Sequence, residues 1–338
     1  MNIKEVAKRA GVSVATVSRT LNRPELVLEA TRKKILETIE EMDYVPNPSA
    51  MSLSTGRTGT VACIVPTLRN EFFNQLVEGC QRILAYSGYR LLIYSTANSG
   101  AFLEKLDQRS IDGVILSGSN YTRENRANLD ILQVPCVLIE NVEQFADFNE
   151  LPPTVYIEDY IGVQFALKYL YAEGNRCFGI LAGDQDYIVT QRRLRAVREF
   201  FSWAPDCQYY VEHAGYSDLG QAQTAGYFFL EKKPRPTAIF TFNDMLAAGV
   251  LRSLLSTGIK VPEEMELIGF DDIPLASYFT PSLSTMSAPN RRLGEKAAEL
   301  LLARINGKTI AQNVLYPLDI KLRETTKNTV EPDKVPDV

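Results

Sequence analysis

The fold is limited chiefly by seven short apolar runs that alternate with stretches of helical periodicity. Uninterrupted apolar runs of four or five residues are typical of parallel strands that are covered on both faces. Repeated strand–helix units of this kind predict a doubly wound α/β body, in which ligands bind beyond the carboxyl ends of the strands. The runs are Val61–Val65, Arg90–Tyr94, Gly113–Leu116, Cys136–Ile139, Phe178–Leu181, Ala238–Thr241 and Leu267–Phe270.

Charge is divided unevenly along the chain of 338 residues. Overall, 36 basic residues stand against 41 acidic residues, which gives a net charge of −5. Residues 1–36 carry eight basic and three acidic side chains, a balance of +5, so the remaining residues carry −10. This division is typical of a small basic module that meets a polyanion, attached to an acidic body with a separate task. A solvated helix face would give the same balance, and charge alone leaves both interpretations open.

Composition argues against most enzyme chemistry and against a bound metal. The five cysteines are scattered without a Cys-x-x-Cys pair, and His213 is the single histidine. A disulfide framework, a zinc site and a histidine-based triad are therefore not expected. No Gly-x-Gly-x-x-Gly follows a strand, and Gly307-Lys308-Thr309 lacks the earlier glycine of a phosphate-binding loop. We predict no cofactor and no enzymatic activity.

The chain carries no sign of a membrane or secretory destination. It has no run of about 18 uncharged apolar residues, so no membrane span is predicted. The first residues, Met1–Gly11, are charged and lack the apolar segment of a signal peptide. We therefore expect a cytoplasmic protein with no membrane partner.

The basic N-terminal segment has the pattern of a helix-turn-helix. Ile3, Val6, Ala7 and Ala10 share one helical face, and Gly11 follows as a stop signal. A second helix is predicted from Val14 to Leu21 with Ser13 as its N-cap, and a third from about Glu29 to Met42. In such a motif the second helix can enter the major groove of DNA. We expect Val17 and Leu21 to face the core with Ile35, Leu36, Ile39 and Met42, and Val14, Ala15, Ser18 and Arg19 to face outward.

The segment Ile3–Arg19, continued by Thr31-Arg32 and Tyr44–Asn47, resembles the N-terminal signature of the lactose/galactose-repressor family. The similarity extends to about residue 325. It implies a helix-turn-helix domain at 1–47, a hinge helix and linker at 48–59, and an effector-binding and dimerisation body at 60–325. The body would be of the periplasmic-binding-protein type, with one subdomain at about 60–158 and 290–318 and the other at about 159–289 and 319–325.

The resemblance also implies which residues contact DNA. Arg19 could bind guanine through two hydrogen bonds, and Val14 and Ala15 could offer apolar contact to base edges. Leu53 would be a wedge in the minor groove. Two departures from the family pattern are Leu28, in place of the serine that caps the third helix, and Met51, in place of a hinge arginine. The phosphate-binding positions would be Ser13, Thr16, Ser18, Asn22 and Thr31, which fix the register without reading sequence.

For the body, the resemblance implies an effector site at the strand ends. Asparagine and aspartate can bind paired hydroxyl groups, arginine can donate several hydrogen bonds, and aromatic walls suit a sugar face or a planar base. We therefore expect a sugar or sugar derivative, with a purine-type ligand next. The matching positions are Phe72, Phe73, Arg193, Tyr216, Asn243 and Asp271.

Taken together, these features predict an effector-responsive transcriptional repressor that binds double-stranded operator DNA as a homodimer, because two half-sites require a two-fold partner. A solute-binding receptor would explain the body but not the basic head. A sugar- or nucleotide-metabolising enzyme lacks a motif for the chemistry. The polar tail, residues 326–338, carries Pro332 and Pro336 and is predicted to be disordered.

Overall fold

The computed structural model describes residues 2–22, 24–44, 56–96, 110–117, 127, 133–140, 151–215, 217–310 and 312–335. These residues form two compact units. The first unit comprises the described residues up to Thr60 together with 110–112, and the second comprises the rest. The predictions for Met51, Leu53 and Tyr216 lie outside the described residues, as does most of the predicted hinge at 48–59.

The first unit contains the three predicted helices, α1 (Ile3–Ala10), α2 (Val14–Asn22) and α3 (Glu29–Glu41), with a short 3₁₀ turn at Pro24–Leu26. Asn2 caps α1 in a capping box with Glu5. Gly11 ends the helix in the left-handed conformation, with φ 67°, which glycine adopts without strain. The core of the unit is made by Val6, Ala7, Ala10, Val17 and Ile35.

One core prediction for this unit is wrong. Leu36 is 47% exposed, because Ile35 and Thr38 occupy the buried face of α3 and the next residue lies about 100° away around the helix. Thr38 satisfies its buried hydroxyl by donating to the carbonyl oxygen of Lys34. Leu28, as expected, stands at the N-cap of α3 without a side-chain hydrogen bond. This helix therefore begins without the stabilisation of about 1 kcal/mol that a capping side chain supplies.

The second unit contains two six-stranded sheets, which confirms the predicted α/β fold class with two subdomains. Strand order is β11-β5-β4-β3-β1-β2 in the first sheet and β12-β10-β9-β8-β6-β7 in the second. The central strands pair in parallel, and β12 runs antiparallel to β10 at the edge of the second sheet. The strands are β1 (Thr60–Val65), β2 (Arg90–Ser95), β3 (Gly113–Ser117), β4 (Cys136–Ile139), β5 (Thr154–Ile157), β6 (Cys177–Ala182), β7 (Gln208–His213), β8 (Ala238–Thr241), β9 (Glu266–Asp271), β10 (Ser284–Ser287), β11 (Asn313–Tyr316) and β12 (Asp319–Lys321).

The chain crosses between the two sheets three times: after β5, after β10 and between β11 and β12. Parallel sheets fed in this way have the carboxyl ends of their strands near the crossings, where polar side chains can meet. The helices of the unit are α4 (Glu71–Tyr86), α5 (Asp159–Ala172), α6 (Ile188–Trp203), α7 (Leu219–Glu231), α8 (Asp244–Ser256) and α9 (Asn290–Ile305).

Helices α4 and α9 pack unusually closely because glycine stands at each contact. A Cβ atom on Gly79 would overlap the carbonyl oxygen of Arg291, and one on Gly294 would overlap that of Leu76. The thiol of Cys80 donates to the carbonyl oxygen of Gly294 across the same contact, at 3.3 Å. The two helices therefore touch through their backbones and behave as one rigid pair.

The prediction of a disordered tail is wrong for residues 326–335. The backbone N–H groups of Thr329 and Val330 donate to Glu173 Oε1, at 2.8 and 2.9 Å, and that of Lys327 donates to Glu266 Oε1 at 2.9 Å. These two carboxylates of the second unit hold the tail in place. The composition of the tail alone does not indicate such partners, because both are distant in sequence. Residues 336–338 lie outside the described residues.

In the part of the chain that the structure describes, no helix is both long enough and apolar enough to cross a lipid bilayer.

We expect Gly294→Ala to destabilise the second unit by about 1–3 kcal/mol, because the added methyl group forces apart two packed backbones. Gly220→Ala is the matched control, since Gly220 is exposed in the first turn of α7 and a Cβ there meets no close backbone atom. That control should be neutral or slightly stabilising. Urea unfolding measures both free energies, and equal values for the two variants would contradict the close contact.

Candidate functional site

The DNA-facing candidates lie together on the outer face of α2. Val14 is 39% exposed, and Ala15 and Arg19 are also exposed, whereas Val17 on the opposite face is fully buried. The expected orientation of these four side chains is therefore observed.

The start of α2 is held by two hydroxyl groups. Ser13 Oγ accepts a hydrogen bond from the Thr16 backbone N–H at 3.1 Å, which makes Ser13 the predicted N-cap. Ser13 Oγ and Thr16 Oγ1 are also hydrogen-bonded to each other, at 2.8 Å. Ser18 and Thr31 are half-buried, and the side chain of Asn22 lies outside the description. A phosphate contact by Ser13 or Thr16 would share a hydroxyl that already caps the helix.

In the second unit, polar side chains gather where strands end. Asp271 is the last residue of β9, and Glu140 follows β4 directly. Asp271 is 3% exposed and has a backbone φ of 110°, a conformation that side-chain-bearing residues rarely adopt. Within the described structure, its Oδ2 atom has no hydrogen-bond partner. A strained backbone that presents an unsatisfied buried carboxylate oxygen is typical of a binding site.

The strained conformation of Asp271 is held from several sides. Asn290 Nδ2 donates to the Asp271 carbonyl oxygen at 2.9 Å. The fully buried Asp244 accepts from the Ile273 backbone N–H at 2.9 Å and from Thr285 Oγ1 at 2.6 Å. These bonds fix the backbone on both sides of the carboxylate before any ligand arrives.

The next residue, Asp272, is fixed separately. Its Oδ1 accepts from Arg323 Nη2 at 2.7 Å, and its Oδ2 accepts from Ser287 Oγ at 2.8 Å. Both carboxylate oxygens of Asp272 thus have partners within the protein. Asp271 is therefore the carboxylate of this pair that has an oxygen available for a ligand.

Arg193 lies beside Asp271 and is pinned on three sides. Its Nη1 donates to the Phe242 carbonyl oxygen, its guanidinium carbon is 3.7 Å from the centre of the Phe270 ring, and its Nε is 3.6 Å from Asp159 Oδ2. Such stacking and pairing suit a guanidinium held in one orientation. Arg192 Nη2 pairs with the other oxygen of Asp159 at 2.5 Å.

The buried acids perturb one another. Burial raises the pKa of Asp271 to about 7, the Arg193 guanidinium opposes the rise, the Glu140 carboxylate adds to it, and a side-chain hydrogen bond from Asn70 lowers it. Burial also raises the pKa of Asp244 well above its ordinary value, and the charge of Asp271 adds to that rise. Perturbed carboxyl groups of this kind are concentrated at binding and catalytic sites.

The structure brings together some of the predicted effector residues and not others. Asp271 and Arg193 are neighbours. Asn243 lies at the start of α8, where its Oδ1 caps the helix by accepting from the Leu246 backbone N–H at 2.8 Å. Phe72 and Phe73 are buried in the apolar core, edge to face at 4.9 Å between ring centres.

Sequence reasoning missed three polar residues near Asp271: Asn70, Glu140 and Asn290. Glu140 follows the apolar run Cys136–Ile139 directly, as Asp271 ends its own strand, so the strand-end argument could have found it. Asn70 and Asn290 stand at the starts of α4 and α9, where they resemble ordinary helix caps, and nothing in their local sequence distinguishes them. Within the described residues, no group of three or more His, Cys, Asp and Glu side chains could hold a metal ion.

Comparison with known proteins agrees with this organisation. Residues 2–47 match the family model described as bacterial regulatory proteins, lacI family, and residues 167–326 match a periplasmic binding protein-like domain. The chain is 32% identical, over 338 residues, to the HTH-type transcriptional repressor PurR of Vibrio atlanticus, with 96% of this chain and 98% of the relative covered. The chain belongs to the lacI family of bacterial regulatory proteins. It is a DNA-binding transcriptional repressor rather than an enzyme, as the sequence predicts.

Two solved structures show the same fold. The lac repressor dimer bound to operator and the anti-inducer ONPF has a TM-score of 0.83 at 22% identity, with 96% of this chain and 99% of that chain covered. The complex of the transcriptional regulator CelR with cellobiose has a TM-score of 0.68 at 26% identity, with the same coverage. At these identities, the match supports the architecture of this lacI-family chain and leaves its effector open.

We expect Asp271→Asn to change how stability depends on pH. The folded carboxyl keeps its proton up to about pH 7, whereas that of the unfolded chain loses it at about pH 4, so ionisation of Asp271 lowers stability as pH rises through this window. Asparagine removes the penalty, including its effect on Asp244. The variant should therefore gain stability relative to the unmodified protein between pH 5 and pH 8, by up to about 1.4 kcal/mol per pKa unit.

Thermal unfolding at several pH values measures this difference. Glu231→Gln, at an exposed position of α7, is the control that should leave the pH dependence unchanged. A constant gap between Asp271→Asn and the unmodified protein at all pH values would contradict a raised pKa.

Proposed function

We propose that this lacI-family repressor binds a pseudo-palindromic operator as a homodimer, and that a small effector bound between the two subdomains controls its affinity for DNA. The observation that carries the proposal is the pre-formed, strained and unsatisfied carboxylate of Asp271, next to the pinned guanidinium of Arg193. A repressor that needed no ligand would have no use for a buried acceptor without a partner, since leaving one unpaired costs about 1–3 kcal/mol.

On DNA, we propose that α2 enters the major groove. Arg19 would form paired hydrogen bonds with guanine, and Val14 and Ala15 would contact base edges, for example a thymine methyl group. Leu53 would insert into the minor groove at the centre of the operator. Ser13, Thr16, Ser18, Asn22 and Thr31 would bind phosphates and set the register.

For the effector, we propose a sugar or sugar derivative. Asp271 offers an unsatisfied acceptor beside the Arg193 guanidinium, so the site can both accept and donate hydrogen bonds, as hydroxyl groups require. The CelR complex with cellobiose supports a sugar as well. A purine-type ligand is the second candidate, favoured by the similarity to the repressor PurR of Vibrio atlanticus. Phe72, Phe73, Tyr216 and Asn243 stay predicted contacts.

Control of DNA binding would follow from a shift between subdomain arrangements. An effector that contacts residues of both sheets favours one arrangement over the other by its difference in affinity, and so changes the population that can bind DNA. We propose α4 and residues 277–285 as the dimer interface. The arrangement of the two protomers would then set the distance between their two α2 helices.

We expect Arg19→Ala to reduce the preference for the operator over random DNA by about 5- to 150-fold, because a bidentate arginine–guanine contact discriminates by about 1–3 kcal/mol. An operator is first selected from a random DNA pool with the unmodified protein, and fluorescence anisotropy then measures both affinities. Lys33→Ala removes the same charge from α3, where Lys33 pairs with Glu37, and should weaken both affinities equally. Unchanged operator preference in Arg19→Ala would overturn the base-reading role.

We expect Asp271→Ala to bind the selected operator normally but to lose its response to effector. An effector is identified by thermal shift, where a ligand at about 100 times its Kd adds roughly 2.7 kcal/mol of stability. Operator affinity is then measured with and without that ligand. A response at the same ligand concentration in Asp271→Ala would mean that the site lies elsewhere.

A further inference from the structure

We propose that Asp112 is a positioning residue for operator binding. Its carboxylate holds the connecting segment, residues 56–60, through which the chain passes from the DNA-binding helices into β1. The inference rests on the proposed function, because it concerns the distance between the two α2 helices of a homodimer on its operator. Without this contact, the protein should bind the operator more weakly and should tolerate a changed distance between the half-sites.

Asp112 binds the connecting segment through both carboxylate oxygens. Oδ1 accepts a hydrogen bond from the Thr58 backbone N–H at 2.7 Å, and Oδ2 accepts one from the Gly59 backbone N–H at 2.8 Å. The backbone N–H of Asp112 donates in turn to the carbonyl oxygen of Thr60 at 2.8 Å. One residue is thus hydrogen-bonded to three consecutive residues of the segment. Two of these bonds are made to a charged group, and such bonds are about twice as strong as those between neutral groups.

Apolar packing cannot hold the connecting segment in one conformation. Its residues are glycine, arginine and threonine, and none of them has an apolar side chain that could enter a core. Gly56 and Gly59 have positive φ values, 67° and 63°, and a Cβ atom on either would meet no atom within 4 Å. Two glycines within four residues give a chain many accessible conformations. The hydrogen bonds of Asp112 therefore restrict a segment whose composition favours freedom.

The contact lies directly before two paired strands. Thr60 is the first residue of β1, and Asp112 immediately precedes β3. The register of these two parallel strands begins at the next residue of each, where Val61 is opposite Gly113. Asp112 thus extends the regular hydrogen bonding of the strand pair into the segment that precedes β1.

A restricted segment matters for a repressor that must reach two half-sites at once. The two α2 helices of a dimer have to meet half-sites at a fixed distance. Conformational freedom in the segment is lost when both helices bind, and this loss opposes operator binding. Binding to random DNA rests on phosphate contacts and needs no fixed distance. Asp112 should therefore raise affinity for the operator and leave affinity for random DNA unchanged.

The first experiment measures the affinity of full-length Asp112→Ala and Asp112→Asn for the selected operator and for random DNA by fluorescence anisotropy. We expect Asp112→Ala to lose about tenfold in operator affinity, because two backbone positions regain their freedom. Asp112→Asn should lose less, since its amide oxygen still accepts one of the two hydrogen bonds. Both variants should bind random DNA within twofold of the unmodified protein.

Asp319→Ala is the control for this experiment, because it removes the same charge from an exposed position on the edge strand β12. Both of its affinities should stay unchanged. Operator affinity within twofold of the unmodified protein in both Asp112 variants would overturn the inference. Equal losses for operator and random DNA would also overturn it, since they would indicate a general loss of folded protein.

The second experiment changes the operator instead of the protein. One base pair is inserted between the half-sites, and the ratio of the affinities for the original and the lengthened operator is measured. We expect this ratio to be at least threefold smaller for Asp112→Ala than for the unmodified protein, because a freer segment adapts to the new distance. A residue that only stabilised the fold would leave the ratio unchanged, and an unchanged ratio would overturn the inference.

The third experiment disturbs the same segment from another side. Gly59→Ala places a side chain at a positive φ and so disfavours the conformation that Asp112 holds. Its operator affinity should fall severalfold. Gly258→Ala is the matched control, since Gly258 has a φ of 77°, equally open surroundings and a place in the turn after α8. That control should leave operator affinity unchanged.

The double variant Asp112→Ala/Gly59→Ala tests whether the two residues act on one conformation. Its loss of operator affinity should be smaller than the product of the two single losses, because either change already frees the segment. Losses that multiply would show that the two residues act separately, and would overturn the inference.

Failure of this inference and failure of the proposed function appear in different proteins. Operator binding by the unmodified protein that ignores the distance between half-sites would refute the proposed dimer, and the inference with it. Normal dependence on that distance in the unmodified protein, together with unchanged operator affinity in the Asp112 variants, would refute the role of Asp112 alone.

Discussion

The buried carboxyl group of Asp244 makes the contacts on which the candidate effector site depends. It is fully buried at the start of α8, and its two oxygens hold the Ile273 backbone and the Thr285 hydroxyl. Gly269 on β9 must lack a side chain, because a Cβ atom there would overlap Asp244 Oδ1. With the strand end held so closely, Asp271 can keep a backbone conformation that a free loop would abandon. The conformation of Asp271 is therefore fixed by contacts within the second sheet and its helix α8.

The crossings between the subdomains contribute one salt bridge and one hydrogen bond to the same site. Asp159 is the first residue of α5 after one crossing and contacts Arg193, and Asn290 is the first residue of α9 after another and contacts the Asp271 carbonyl. Both contacts are buried, so breaking either would expose unpaired polar groups. A movement at the crossings therefore changes the contacts of Arg193 and Asp271, and a change at these two residues acts on the crossings in turn.

Much of the fold was predictable because its signals are local. The boundaries of α1 follow from the apolar face of Ile3–Ala10 and the stop at Gly11, and the apolar runs fall on strands because both faces of a parallel sheet are covered. Leu36 was misplaced because a one-residue error rotates a side chain from the core to solvent. The tail was misjudged because its partners, Glu173 and Glu266, are distant in sequence.

The candidate site was predictable in part. Asp271 and Arg193 stand in motifs that resemble a known family, so the resemblance found them. Asn70 and Glu140 gain their importance from neighbours on other strands and helices, and a chain without coordinates does not contain that information. Phe72 and Phe73 are buried in the apolar core, and their contact with an effector stays a prediction.

The glycine contact between α4 and α9 has a mechanical consequence for the site. Each helix has 16 residues and so is about 24 Å long, and each begins beside Asp271, at Asn70 and at Asn290. Because Gly79 and Gly294 lock the helices together, the pair can act as a single lever whose short end holds two asparagines against one aspartate. A rotation of about 5° at that end would displace the far ends, near Tyr86 and Ile305, by about 2 Å. A small change in hydrogen bonding at Asp271 can thereby produce a shift of the far helix ends that is large enough to move a helix at an interface.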